Sequence, residues 1–266
     1  MPGNNPVLRR INTDVKKEYA GFGVPDQLEQ MYQRPAAGPV DTDRLTMDDV
    51  VMKTLTLFVI VVGVGAVTWM TTAGNPSLTS PLWLGGMFGG LAVGLAISFM
   101  KRVVVPLIVL YAVLEGAFLG AFSQFINSID KYAGIVPTAV VATLSVFAGM
   151  FVGYRAGIIK VTSKSRRIFI LAAMGYLLFS LVQVVFLMAG WTSGWGFGGS
   201  GMLGLGISIL GVGLASYSLA IDFDSIDQAI AMRAPRKYSW LMAHGLIVSL
   251  VWLYVEIVRL LARARD

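Results

Sequence analysis

Seven long hydrophobic stretches dominate the chain and limit what it can fold into. They cover residues 50–72, 81–100, 104–127, 136–156, 166–189, 201–222 and 239–262. Each is close to the roughly 20 residues that an α-helix needs to cross about 30 Å of hydrocarbon. The strands of a membrane β-barrel would instead show about ten alternating residues each. The sequence therefore predicts an all-α polytopic membrane protein, with a bundle of seven transmembrane helices in residues 49–266.

The N-terminal residues 1–48 differ sharply in composition from the rest. They are rich in Pro, Gly, Asn, Gln and charge, and eight of the 15 acidic residues precede residue 50. Because such a segment has little apolar surface to bury, we predict a disordered or loosely held cytoplasmic tail. The pair Thr46 and Asp49 fits a capping box, which predicts that the first span begins there.

The charges in the connections predict the orientation. Basic residues cluster at 101–102, 155–167 and 233–237, whereas 73–80 and 190–200 carry no charge. The positive-inside rule places the basic connections and the N-terminus in the cytoplasm, and we expect the plasma membrane as the location. Seven crossings would, however, put Arg259, Arg263 and Arg265 outside. Either the last segment is re-entrant and does not cross the membrane, or the charges of the earlier loops outweigh these three arginines. The sequence leaves both possibilities open.

Glycines recur at four-residue spacing within the stretches. The sets are Gly86, Gly90 and Gly94, then Gly116 and Gly120, then Gly149, Gly153 and Gly157. Small residues on one stripe of a helix let neighbouring helices approach closely in lipid. We therefore expect a tightly packed bundle, and a pore lining is the alternative.

Several functional classes are excluded by what the sequence lacks. The chain has no cysteine and one histidine, so disulfides, thiolate metal sites and a His-Glu-x-x-His zinc motif are ruled out. The net charge of +6 comes from Lys and Arg at the ends of apolar stretches, which does not resemble a nucleic-acid groove. We expect a protein that is no enzyme, has no cofactor, binds no nucleic acid and sits in the lipid bilayer.

Glu115 is the most informative ionisable residue. It lies about eleven residues into the third stretch, close to mid-membrane. A carboxyl group there must be protonated, paired or facing water, because burying a charge in a bilayer is costly. We expect it to face the bundle interior, either as a bonded structural residue or as part of an ion path.

Three aspartates, Asp222, Asp224 and Asp227, lie at the cytoplasmic end of the sixth stretch. Asp224 and Asp227 are three residues apart and repel each other unless a proton or cation intervenes. Grouped carboxylates suit Ca²⁺, although the glycine and the closing Glu of an EF-hand are missing. The alternative is a solvated cluster paired with the basic residues of the next connection, namely Arg233, Arg236 and Lys237.

The last stretch contains two further candidates, Glu256 and His244. Arg259 follows Glu256 by one turn, so a local ion pair competes with a role in gating. His244 is the only histidine, and either packs as a hydrogen-bonded residue or senses protons.

Three motifs carry a resemblance to a known family. Leu114-Glu115-Gly116, Asp222-Phe223-Asp224-Ser225-Ile226 and Leu253-Tyr254-Val255-Glu256-Ile257 resemble, in this order, motifs of the Bax inhibitor-1 (transmembrane Bax-inhibitor-motif) family, in particular its bacterial branch. The likeness covers about residues 50–262. It implies a seven-helix bundle around a central last helix, with a pH-sensitive Ca²⁺ leak controlled by an acidic pair from helices six and seven. That pair maps to Asp222 and Glu256, and the candidate Ca²⁺ ligands become Asp222, Asp224 and Glu256.

The separation of this acidic pair sets a geometric test. Asp222 and Glu256 are 34 residues apart, and in a tight hairpin the residue level with Asp222 is about Ile247. Glu256 then lies roughly 13 Å further along the last helix. Direct pairing therefore requires an unwound sixth helix or an extended loop.

Residues and resemblance together favour a pH-responsive ion-permeable membrane protein with Ca²⁺ as the permeant ion. The rival is a non-conducting regulator that binds other membrane proteins, such as quality-control proteases. A path joining Glu115 to the aspartates would favour conduction, whereas a sealed bundle with a lipid-facing groove would favour the regulator. The oligomeric state stays open.

Overall fold

The computed structural model of the chain describes residues 6–19, 43–191, 196, 199 and 201–266. Helices make up this part of the chain, joined by short turns. They are α1 (Pro6–Tyr19), α2 (Met47–Gly74), α3 (Thr79–Phe99), α4 (Val105–Asn127), α5 (Ile135–Arg155), α6 (Ser163–Met188), α7 (Met202–Ala231) and α8 (Ser239–Arg265). Seven of them, α2 to α8, are long and apolar enough to cross a membrane. The predicted all-α, seven-helix membrane domain is confirmed.

Helix α2 begins where the sequence predicts. Thr46 is its N-cap residue, and Thr46 Oγ1 accepts a hydrogen bond of 3.2 Å from the backbone N–H of Asp49. The same hydroxyl donates to Asp49 Oδ2 at 2.9 Å. Asp49 also pairs with Arg236 at 2.9 Å, so the start of α2 is joined to the connection before α8.

The N-terminal segment contains a helix that the sequence does not predict. Residues 6–19 form α1, with Leu8 and Ile11 buried, in a segment for which we predicted a disordered or loosely held tail and no helix. Its apolar residues recur at helical spacing, which lets one face cover the end of the bundle. Arg10 donates to the backbone carbonyl of Ser98 at 2.7 Å. The other residues predicted as tail, 1–5 and 20–42, lie outside the described residues.

Helix α8 forms the centre of the bundle. It packs against α2, α4, α5 and α7, and it is the most buried of the seven candidate spans. Helix α6 lies at the other extreme, since it packs mainly on α7 and is the most exposed span. A central last helix is also what the family resemblance implies.

Two of the three glycine stripes are packing surfaces. A Cβ at Gly86 would lie 2.7 Å from the backbone of Phe118, so α3 and α4 approach closely there. A Cβ at Gly116 would likewise lie 2.7 Å from the Val61 carbonyl of α2. The third stripe is a wrong prediction: a Cβ added at Gly149 would have no neighbour within 4 Å, one at Gly153 would meet Ile159 of the next connection, and residue 157 lies beyond the end of α5.

The last helix runs the whole length of the bundle. At its C-terminal end Asp266 pairs with Lys131, in the α4–α5 connection, at 2.6 Å. At the opposite end, Leu45 donates its backbone N–H to the carbonyl of Ala234 at 2.8 Å, just before α8. This arrangement favours a full crossing over re-entry.

The arginines that break the charge rule have structural partners. Arg263 is buried and donates to the Gly204 carbonyl at 2.7 Å and to Ser208 Oγ at 2.9 Å. Arg265 donates to the carbonyl of Ala133 at 2.5 Å. These arginines connect α8 to its neighbours, which gives them a reason to lie on that side despite their charge.

Candidate functional site

Glu115 lies in the middle of α4 and faces another helix of the bundle. Its side chain is 8% exposed. It packs against Gly90 of α3, where an added Cβ would lie 2.7 Å from Glu115 Oε1. The phenol of Tyr111, one turn earlier, interacts with the carboxyl group. Glu115 is therefore buried between α3 and α4.

His244 lies beside the same tyrosine. It is 6% exposed, and its ring meets the Tyr111 ring edge-on with 4.4 Å between centroids. Its Nδ1 atom is buried and has no hydrogen-bond partner among the described residues. A buried polar atom without a partner is costly, so this position calls for an explanation beyond packing.

Glu256 is held by three donors. Tyr176 on α6 donates its hydroxyl to Oε2 at 2.7 Å, while Trp252 and Arg259 each donate to Oε1 at 3.3 Å. The side chain is 2% exposed. The local ion pair with Arg259, one of the two alternatives for Glu256, is present in the structure. Gly211 of α7 makes room for the group, since an added Cβ would lie 2.5 Å from Glu256 Oε2.

Glu115, His244 and Glu256 all line one cavity of about 670 Å³ between α3, α4, α6 and α8. We call it the lateral cavity. From His244 to Glu256 it follows α8 for twelve residues, or about 18 Å. Helices α3 and α6 form its sides without packing extensively on each other, and Leu91 and Leu177 at these sides are exposed. The opening therefore faces the lipid.

Asp222 lies outside this cavity wall and contacts the central helix. It accepts a hydrogen bond of 2.5 Å from Ser249 Oγ, and an added Cβ at Gly245 would lie 3.5 Å from Asp222 Oδ1. These partners lie two residues on either side of Ile247, the level that the hairpin geometry predicts. Helix α7 stays helical to Ala231. The acidic pair implied by the resemblance is therefore not formed in this arrangement.

Asp222 and Glu256 nevertheless belong to the same helix interface. On α8, Gly245, Ser249 and Glu256 share one face, since they are spaced by four and seven residues. That face meets α7 at Asp222 and, eleven residues earlier, at Gly211. We call this interface the α7–α8 seam. Glu256 lies about 10 Å along it from Ser249.

Asp224 and Asp227 have partners that the sequence did not suggest. Arg166, at the start of α6, pairs with Asp224 at 2.6 Å. Tyr154 donates to Asp227 at 3.0 Å, and Arg155 lies 3.8 Å from the same carboxylate. The alternative partners Arg236 and Lys237 pair instead with Asp49 and with Asp14. The loop basic residues were the wrong choice, because the turn before α8 carries them towards α1 and α2.

The predicted Ca²⁺ ligand set is not assembled. Asp222 bonds Ser249, Asp224 bonds Arg166, and Glu256 bonds Tyr176. Within the part of the chain that the structure describes, no three His, Cys, Asp or Glu side chains are grouped so that they could hold a metal ion. The grouping of these three acids as one site was wrong, because Asp222 and Asp224 point to different sides of α7 and Glu256 lies further along α8.

Comparison with known families supports the resemblance. A family model described as "Bax inhibitor 1 like" matches residues 5–266, nearly the whole chain. The chain belongs to this family. A comparison with curated proteins gave no match.

In this Bax inhibitor 1-like protein, sequence reasoning missed Arg166, Tyr176 and the lateral cavity itself. Arg166 lies within the first turn of a membrane helix, where a single cation can reach an acid on the next helix. Gly90 and Gly211 carried a second signal, since each makes room for a buried carboxyl group on a neighbouring helix. Tyr176 gave no signal in the sequence.

Proposed function

We propose that the protein is a pH-responsive, ion-permeable protein of the plasma membrane, with Ca²⁺ as the permeant ion and no catalytic role. The observation that carries this proposal is the contact between Asp222 and Ser249. A half-buried carboxyl group is held there by a neutral hydroxyl, at the interface between α7 and the central helix.

Protonation changes what this contact can do. A neutral carboxyl group tolerates burial, whereas an ionised one must be solvated or paired. Arg166 is the cation that acts on Asp222, but it already pairs with Asp224 at 2.6 Å. Ionisation of Asp222 therefore favours entry of water or a cation into the α7–α8 seam. It follows that the leak rises as the pH is raised.

The α7–α8 seam offers the permeant ion a route beyond Asp222. Its α7 side carries small residues, including Ala215, Ser218 and Gly211, which are buried against their neighbours. Its far end is Glu256, which also lines the lateral cavity. Carboxylate and hydroxyl oxygens are ligands that Ca²⁺ accepts. Asp222 and Glu256 would therefore act as two successive binding sites along the seam, and not as one shared site.

A second candidate function rests on a different surface. An apolar groove of about 430 Å³ lies between α2, α4, α5 and α8, and includes Val61, Gly65 and Leu144. In lipid, close packing against small residues is what holds two helices together. This groove favours the non-conducting regulator, with a helix of another membrane protein as its occupant.

Ca²⁺ uptake into liposomes that contain the pure protein, measured across pH, tests the proposal. We expect uptake by the wild type to rise with pH. Asp222→Asn keeps the size and the bond to Ser249 but cannot ionise, so its uptake should depend much less on pH. Asp227→Asn is the matched control, because Asp227 lies near the surface with Tyr154 and Arg155.

Two outcomes would overturn this reading. Uptake no greater than that of empty liposomes at every pH would exclude conduction and leave the regulator. Identical uptake curves for the wild type and Asp222→Asn would remove Asp222 as the pH-responsive group.

A further inference from the structure

The lateral cavity has polar groups whose bonding is incomplete. Glu256 is satisfied by Tyr176, Trp252 and Arg259. At the other end, His244 Nδ1 has no partner among the described residues, and Glu115 is hydrogen-bonded to the phenol of Tyr111 and has no cation beside it there. We propose that the lateral cavity binds a single-chain amphiphile with a protonated amine head group, which enters from the bilayer.

The charges that line the cavity favour a cation. Glu115 and Glu256 contribute two carboxyl groups, against the one guanidinium group of Arg259. Since Arg259 already pairs with Glu256 at 3.3 Å, the unbalanced group is Glu115. A carboxylate or phosphate head group would meet a like charge there, whereas an ammonium group would neutralise it.

The hydrogen-bonding groups fit the same ligand. An ammonium group has three N–H donors and no acceptor. Glu115 accepts through its carboxyl oxygens, and neutral His244 accepts through Nδ1 in one of its two tautomers. Tyr111 contacts both side chains, with its phenol at the Glu115 carboxyl group and its ring against the His244 ring. An amine head group beside Tyr111 would pair with the acid and offer the unpartnered ring nitrogen a donor.

The remaining wall suits an alkyl chain. Between His244 and Glu256 the α8 side consists mainly of Val248, Val251 and Val255, and α6 contributes Met174 and Leu177 opposite. The volume of about 670 Å³ lies within the usual range of ligand pockets. Because the opening between α3 and α6 faces lipid, a molecule dissolved in the bilayer reaches the cavity sideways.

Photolabelling of the full-length protein in phosphatidylcholine nanodiscs tests this proposal. The probe is dodecylamine with a diazirine in its chain, and labelled peptides are identified by mass spectrometry. We expect saturable labelling of α6 and α8 residues that line the cavity. Unlabelled dodecylamine should compete for this labelling, whereas dodecanoic acid should not.

Variants separate the head-group site from general partition into lipid. Glu115→Gln keeps the shape but removes the charge, and should weaken apparent affinity at least about tenfold, which is 1.4 kcal/mol. His244→Leu should also weaken it, while His244→Asn, which keeps a polar atom near the Nδ1 position, should retain part of the affinity. Asp227→Asn is the control, since it removes a carboxylate outside the cavity and should change nothing.

The contrary results are equally specific. Labelling that does not saturate, equal competition by the acid, or unchanged affinity in Glu115→Gln would show simple lipid partition and overturn the proposal. Labelling confined to the apolar groove would overturn it too. Since none of these readouts involves ion flux, the outcome is independent of whether the protein conducts.

Discussion

The two cavity acids, Glu115 and Glu256, and the three cytoplasmic aspartates, Asp222, Asp224 and Asp227, have the same chemistry in different surroundings. Glu256 is 2% exposed and accepts bonds from three side chains. The side chain of Asp227 is 38% exposed, and its nearest cation is 3.8 Å away. Burial therefore divides the acids into a group at the cavity, in which Glu256 is fixed by its bonds, and a more solvated group near the surface. Asp222 is half-buried and lies between these extremes, which is compatible with the role in pH response that we propose.

Replacement of Glu256 by Leu should have the largest effect on stability. The change removes the partner of Tyr176, Trp252 and Arg259 and leaves a cation beside the cavity without its acid. Loss of one member of a buried pair costs about 3–5 kcal/mol, and the partial exposure of Arg259 places this case near the lower figure. The melting temperature of the detergent-solubilised protein should fall clearly.

Glu256→Gln is the matched control for that measurement. It keeps the volume and one acceptor oxygen for Tyr176, so its melting temperature should lie between those of the wild type and Glu256→Leu. Equal melting temperatures for wild type and Glu256→Leu would mean that Glu256 is not the fixed acid described here, and the division between the two groups would fail.

The sequence predicted the local features of these acids better than their contacts with distant residues. Seven apolar stretches, the Thr46 cap and the mid-membrane position of Glu115 are local properties, since length and hydropathy determine them. The hairpin geometry also placed Asp222 level with the right part of α8. The partners distant in sequence could not be predicted, because Arg166 reaches Asp224 from 58 residues away and Tyr176 reaches Glu256 from 80 residues away. The amphipathic α1 was missed because its short apolar face is embedded in a polar segment.

The pair between Arg166 and Asp224 should give the next largest effect. The side chains are 12% and 19% exposed, so the pair is less buried than Glu256 but more so than Asp227. A hydrogen bond to a charged group contributes about 1.5–3 kcal/mol, and partial solvent access here reduces that to about 1–2 kcal/mol. Arg166→Ala should lower the free energy of unfolding by roughly this amount.

A double-mutant cycle with Asp224→Asn checks whether the loss belongs to the pair. We expect the two changes together to cost clearly less than their sum, since either one already breaks the contact. Additive costs would show that Arg166 acts elsewhere, for instance on Asp222. That result would move Asp222 towards the fixed group and weaken its proposed role in pH response.

The smallest effect on folding is expected for cysteine variants, which should fold normally. Their labelling tests which side of the membrane the aspartates face. The chain has no cysteine, so a single introduced thiol reports alone. Ser163 is exposed at the start of α6, close to the end of the bundle that holds the aspartates, and Ser77 is exposed in the α2–α3 connection at the other end. We expect Ser163→Cys to resist a membrane-impermeant maleimide in intact cells and Ser77→Cys to react, because the basic connections are predicted to be cytoplasmic. After the cells are opened, both should react. The reverse pattern would place the aspartates outside the cell, and their ionisation would then follow external and not cytoplasmic pH.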